Sequence, residues 1–280
     1  MNLSIKRNLI IIGTALFLYI IYVVIIMVLE LPLSLLLLTY ATIFAIFYFI
    51  NRKNIMALRG NYFYITGHTQ KARPLLKKAV DSGAKSPGSH IYYALLLMQE
   101  DGDAHSALGY LDKALRLSKN PVEKRSTLIS IATCHWLNKD PNRAIRVLED
   151  MRASQEYVNT STMVTLGYIY MSKGDLDKAL KITNLALEDD SEYASAWDNL
   201  GQIYYKKEDF EEAENAFRRA LSYKEFLADS NYYMGILSEQ KGDTQAAAEY
   251  FRKASISTFS FFNSITQEQA DEKYRQYHEG

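Results

Sequence analysis

The chain has 280 residues, room for one or two ordinary domains, and its 32 lysines and arginines balance 32 acidic residues. Only Lys6, Arg7 and Glu30 are charged in residues 1–50, so residues 51–280 carry 30 basic against 31 acidic groups. That balance excludes a nucleic-acid face, which needs a basic excess to displace condensed counterions; the lone cysteine, Cys134, excludes an internal disulfide and has only His135 beside it as a metal-ligand type.

Residues 8–29 run for 22 positions without a charge, and residues 31–50 give 20 more. At about 1.5 Å of rise per residue, each stretch matches the roughly 30 Å hydrocarbon core of a bilayer. The connection at Glu30 and Pro32 is so short that the two helices must be antiparallel neighbours. The expectation is a transmembrane hairpin with spans 8–29 and 31–50, preceded by a cytoplasmic N-terminus at 1–7. Lys6 and Arg7 before the first span, and Arg52, Lys53 and Arg59 after the second, put both ends on the cytoplasmic side and the acidic turn outside. A cleaved signal peptide fits less well. The first run exceeds the usual core of about 7–15 residues, no small-x-small site follows it, and a second full span comes at once. Ala41 and Ala45 form a small-xxx-small pair that could seat one helix on the other.

Beyond residue 50 the sequence repeats with a period of 34. The stretch 194–227 contains Trp197, Leu200-Gly201, Tyr204, Ala213, Phe217 and Ala220. One period later come Met234-Gly235, Ala247, Phe251 and Ala254, and one period earlier Met163, Leu166-Gly167, Tyr170, Ala179 and Ala186. Fainter copies are marked by Gly67, Ala72, Leu76 and Ala79, by Gly102, Ala107, Leu111 and Ala114, and by Asp140, Ala144 and Leu148. Repeats are expected at 53–86, 88–121, 125–158, 160–193, 194–227 and 228–261, together making a domain at 51–261. Each is two helices, with small residues where the backbones cross closely and large apolar ones filling the remaining space. Gly in the turns Asp-Gly-Asp (101–103) and Lys-Gly-Asp (173–175 and 241–243) ends one helix, and the following Asp caps the next. One pair cannot bury its apolar side alone, so neighbours stack. Residues 262–280 break the period, and a polar helix-prone stretch starting near Thr266 is expected to cap the last repeat.

These residues resemble the tetratricopeptide repeat, whose pattern is W-x2-L-G-x2-Y followed by A-x3-F and a later A. The resemblance covers the chain after the hairpin and implies an all-α fold: a right-handed solenoid of about six helix-turn-helix repeats with a C-terminal capping helix. It also implies a concave groove lined by positions 2, 5, 9, 12 and 13 of each first helix. Carried onto this chain, those positions include Tyr64, Tyr92, Leu96, Ile129, Val164, Tyr168 and Met171, then Asp198, Gln202, Tyr205 and Lys206, and finally Tyr232 and Ile236. Trp136 falls in the groove in one register and in the core in another.

The Lys, Asn and Arg that clamp a terminal carboxylate in chaperone-binding members are absent from positions 5 and 9, which read Tyr92/Leu96, Ile129/Thr133, Val164/Tyr168, Asp198/Gln202 and Tyr232/Ile236. The expected partner is therefore an extended peptide or amphipathic helix of another protein, held by apolar and aromatic anchors. No phosphate loop, dinucleotide fingerprint, metalloprotease helix or nucleophile elbow occurs. The five histidines are scattered, so no catalytic residue, cofactor, metal site or small-molecule substrate is expected. The reading is a membrane-tethered, non-enzymatic scaffold whose repeats lie in the cytoplasm; alternatives are a peptide-responsive regulator and a non-catalytic subunit of a membrane or cell-envelope assembly complex.

Overall fold

The computed structural model describes residues 19–25, 28, 33–154 and 158–277. It divides into two compact units, Met1–Met56 and Ala57–Gly280. In the first, residues 19–25 are helical and helix α1 (Leu33–Ile65) begins. Tyr19 packs on Tyr40 with ring centroids 5.4 Å apart, and Tyr22 shares a 3.1 Å hydrogen bond with Thr39, pairings that run antiparallel along the two segments. Large apolar side chains of α1 are exposed around its whole circumference, with Phe44 and Phe49 each 70% exposed. Among the described residues no helix is long and apolar enough to cross a membrane. The expected N-terminus at 1–7, most of the first expected span and the turn at Glu30 and Pro32 lie outside the described residues.

The second unit is a stack of helix pairs, and all regular structure among the described residues is helical. The end of α1 pairs in sequence with α2 (Thr69–Asp81). Then come α3 (Pro87–Glu100) with α4 (Ala104–Leu117), α5 (Pro121–Leu137) with α6 (Pro141–Ala153), and α7 (Thr160–Ser172) with α8 (Leu176–Asp189). The series ends with α9 (Ala194–Lys206) and α10 (Phe210–Tyr223), α11 (Ala228–Gln240) and α12 (Thr244–Ser255), and a last helix α13 (Gln267–Gln276).

The turns form as their residues dictate. Gly102, Gly174 and Gly242 adopt φ of 64°, 87° and 77°, a left-handed backbone that costs glycine nothing. The aspartates that follow accept hydrogen bonds from the backbone N–H groups of Ser106, Lys178 and Ala246, capping the next helix. Within a pair the helices approach as far as a missing Cβ allows. A Cβ on Gly201 would stand 2.5 Å from the Phe217 ring, and one on Gly235 2.6 Å from that of Phe251. The alanines at the crossing, Ala72, Ala107, Ala144, Ala179, Ala213 and Ala247, are fully buried.

Boundaries differ from the sequence reading at three places. The first repeat's opening helix is the end of α1, because nothing between Leu33 and Arg59 breaks a helix. The third repeat opens at Pro121, ahead of 125, and the sixth closes at Ser255, short of 261, while the capping helix starts at Gln267, next to the expected Thr266. There Thr266 and Gln269 form a reciprocal capping box. Residues 256–266 are an irregular segment joining the two.

Candidate functional site

The first helices of successive repeats touch one another, α3 with α5, α5 with α7, α7 with α9 and α9 with α11, which places them on the inner side of the curve. Their inward residues make two stretches of surface. Toward the N-terminal end Tyr64 and Tyr92 stack, 4.6 Å between centroids and 16° between planes, and burial beside Tyr92 raises the pKa of the Tyr64 hydroxyl.

Toward the C-terminal end the inner face is occupied by the chain itself. After α12 the run Thr258-Phe-Ser-Phe-Phe-Asn-Ser-Ile-Thr266 has no helical pattern and crosses back over the groove. Asn263 shapes the crossing: its Oδ1 accepts from the Ser260 backbone N–H at 2.6 Å and from the Ser260 hydroxyl at 3.1 Å. Phe262 enters an aromatic box, 5.6 Å from Trp136 and 5.3 Å from Tyr168, while Phe261 packs on the hydrophobic cluster of the first repeats. The Tyr168 hydroxyl donates to the Asn263 carbonyl at 3.1 Å. Trp136 therefore lies on the groove side, its indole N–H donating to Ser172 at 3.2 Å.

Asp229, near the start of α11, is the polar anchor. It accepts from the backbone N–H groups of Ser264 at 3.0 Å and Ile265 at 3.2 Å, from the Ser264 hydroxyl at 3.0 Å and from the Asn263 amide at 3.0 Å. The Gln202 side-chain amide donates to Asp229 at 3.2 Å and to Asp198 at 2.9 Å, and the Ser230 hydroxyl donates to Asp198. Among the described residues neither carboxylate makes an ion pair. Burial, and secondarily the charge of Asp229, pushes the pKa of Asp198 up to about 7. Burial raises that of Asp229 too, against the opposing effect of its hydrogen bonds. Between the segment and helices α5, α7, α9 and α11 a cavity of about 330 Å³ remains, bordered by Ile129, Val164, Asp198, Asn199 and Phe262.

The sequence-derived groove residues fall into three settings. Ile129, Val164, Tyr168 and Asp198 border the cavity. Tyr64, Tyr92, Tyr205, Tyr232 and Ile236 are half-buried, and Lys206 is exposed. Tyr205 packs on Tyr233, and Tyr232 on Phe251 and against Ile265 of the segment. Leu96 and Met171 lie in the hydrophobic core, and Gln202 is buried beneath the segment, bridging the two carboxylates. Adjacent repeats pack closely enough at these positions to leave no open surface. Asp229, Phe262, Asn263 and Ser264 were missed. Asp229 sits at position 2 of its repeat, itself a groove position, and the aromatic run Phe259, Phe261 and Phe262 was the signal for a segment that must be covered.

Cys134 is buried; its thiol donates to the Ala104 carbonyl at 2.8 Å, and burial pushes its pKa up to about 11, which leaves it inert. Among the described residues no group of three or more His, Cys, Asp or Glu could hold a metal ion.

The chain is similar to the Photosystem I assembly protein Ycf3 of Prochlorococcus marinus (strain NATL2A), 31% identical over 98 residues, which is 35% of this chain and 56% of that protein. With Ycf3 of Parasynechococcus marenigrum (strain WH8102) it shares 33% over 102 residues, 36% of this chain and 58% of the other. The chain thus spans about half the length of the curated relatives it matches. A tetratricopeptide repeat protein from Parabacteroides merdae ATCC 43184 shares the fold with a TM-score of 0.63 at 15% identity, over 81% of this chain and 85% of that one. PilW, a type IV pilus biogenesis factor, does so with a TM-score of 0.57 at 16% identity, over 79% and 98%. Residues 71–231, more than half of the chain, match the family model described as the tetratricopeptide repeat protein 21 C-terminal ARM domain, and the chain belongs to that tetratricopeptide-repeat family.

Proposed function

We propose that this protein is a membrane-tethered scaffold, without catalytic activity of its own, that holds a segment of a partner protein on the inner face of its repeats. The observation that carries the reading is chemical. The inner face combines an aromatic box, Trp136 with Tyr168, and a buried acceptor, Asp229, and both already hold non-helical polypeptide. Side-chain pockets flanking a main-chain acceptor are what recognition of an extended peptide requires. The relatives named as assembly proteins favour, as the variant of this reading, a non-catalytic part in building a larger complex.

The tether rests on the uncharged runs 8–29 and 31–50 and on the apolar side chains exposed around α1, a pattern suited to lipid on every side. The basic flanks put the repeats on the cytoplasmic side. Tethering raises the local concentration of whatever the groove holds. Photo-crosslinking from Val164 and Tyr92 in native membranes tests the scaffold: one partner protein captured at both is expected, and capture only at positions on the outer helices would refute it. A reporter fused after Gly280 that is active only outside the cytoplasm would refute the topology.

A further inference from the structure

We propose that residues 258–266 are a built-in occupant of the partner groove, and that the partner takes their place with a segment of the same chemistry: an aromatic side chain, then a short polar residue, then two successive free backbone N–H groups. The inference rests on the scaffold reading and names what the scaffold selects.

Three features set this segment apart from a permanent part of the core. First, it is irregular backbone held by side chains of the inner helices, so another chain in the same conformation can make every one of its contacts. Phe262 fills the Trp136/Tyr168 box, the Asn263 carbonyl takes the Tyr168 hydroxyl, and the amides of Ser264 and Ile265 point at Asp229. Second, the fit is incomplete, because the cavity of about 330 Å³ lies directly beside Phe262 and Asn263. Third, the helix that follows has its own anchorage. In α13, Ala270 is fully buried, the Lys273 ammonium pairs with Glu239 at 2.9 Å, and the Tyr277 hydroxyl donates to Glu239 at 2.9 Å. The segment is thus fixed at Ser255 and at Thr266, and can lift from the groove while both flanking helices stay docked. Asp229 favours such an exchange: its carboxylate is met by N–H and O–H donors and not by a cation, and solvent can replace them once the groove opens.

A tethered occupant competes at an effective concentration on the order of millimolar, so a free peptide gains affinity when the occupant is weakened, in proportion to the open fraction. The test uses the full chain in nanodiscs and a fluorescein-labelled peptide with the sequence of residues 257–266, read by fluorescence anisotropy. The double variant Phe262→Ala/Asn263→Ala is expected to bind the peptide at least about tenfold more tightly than the wild type. Adding Trp136→Ala should remove that gain, and a peptide with alanine in place of its Phe262 equivalent should not bind. In the wild-type chain, saturating peptide should speed hydrogen exchange at the Ser264 and Ile265 amides, a readout that needs no substitution. Equal affinity in wild type and double variant, or a gain that survives Trp136→Ala, would overturn the proposal. Partner crosslinks confined to the outer helices would instead sink the scaffold reading and leave the peptide result standing.

Discussion

Asp198 and Asp229, on neighbouring inner helices, share the single side-chain amide of Gln202, at 2.9 Å and 3.2 Å. Two buried carboxylates bridged by one amide, with no cation paired to either among the described residues, cannot both carry charge cheaply. The pKa of Asp198 is pushed up to about 7 by burial and by Asp229.

This pair should write itself into the pH dependence of stability. An unfolded aspartate releases its proton near pH 4, whereas Asp198 in the folded chain keeps its proton up to about pH 7. Between those values the folded state binds more protons than the unfolded one. Stability contributed by Asp198 is therefore full below about pH 4, falls by at most about 1.4 kcal/mol per pH unit up to about 7, and is level above that. Asp198→Asn should flatten the decline between pH 5 and 7, as read from guanidinium midpoints at a series of pH values. An unchanged slope in the variant would mean that Asp198 is already ionised at pH 5.

Close helix crossing should make Gly201 intolerant of even one methyl group. The Phe217 ring, fully buried, stands 2.5 Å from where the Cβ would be. Gly201→Ala is expected to cost about 1–3 kcal/mol through overpacking. Gly109, exposed in the middle of α4, has nothing within 4 Å of its Cβ direction. Gly109→Ala should instead stabilise by about 0.5–1 kcal/mol, because it removes glycine's entropy cost in a helix. Denaturation midpoints of opposite sign check both; equal effects would refute the crossing geometry.

How legible these features were depended on whether a residue's role is local. Gly167, Gly201 and Gly235, and the alanines facing them, could be read because a close crossing demands a small residue at a fixed place in every repeat. The start of the first repeat was less legible, since α1 passes through residues 51–53 without a helix breaker and the charge pattern alone marks the change. The groove was legible as a set of positions but not as a surface. Whether Leu96 faces a partner or its neighbours depends on how closely adjacent repeats pack, and periodicity does not encode that. The occupant was hidden for a related reason: nothing in a repeat pattern states what a non-repeating segment such as 256–266 will cover.

The fifth repeat offers a simple stabilising change. Where the second, fourth and sixth repeats place Gly102, Gly174 and Gly242 in the left-handed turn, the fifth has Glu208 at φ 64°. A side chain there costs about 1–2 kcal/mol of backbone strain, part of which glycine gives back by enlarging the unfolded ensemble. Glu208→Gly should raise stability by about 0.5–1 kcal/mol, measured as a higher melting temperature. A lower one would show that the Glu208 side chain contributes a contact outweighing the strain.

Tyr168 separates the roles of ring and hydroxyl in holding the C-terminal segment. Its side chain is 4% exposed, in van der Waals contact with the core of the middle repeats, so Tyr168→Ala should cost about 3–5 kcal/mol and lose repeat structure along with binding. Tyr168→Phe is the informative variant. It keeps the ring against Trp136 and Phe262 and removes only the donor to the Asn263 carbonyl. One lost hydrogen bond is worth about 0.5–1.5 kcal/mol, and it acts on docking of the segment and not on stacking of the repeats. Hydrogen exchange at the Ser264 and Ile265 amides should therefore quicken about fivefold, while exchange in helices α7 and α9 stays at the wild-type rate. If all of these amides quicken together, the hydroxyl supports the repeat stack itself and the segment is an inseparable part of it.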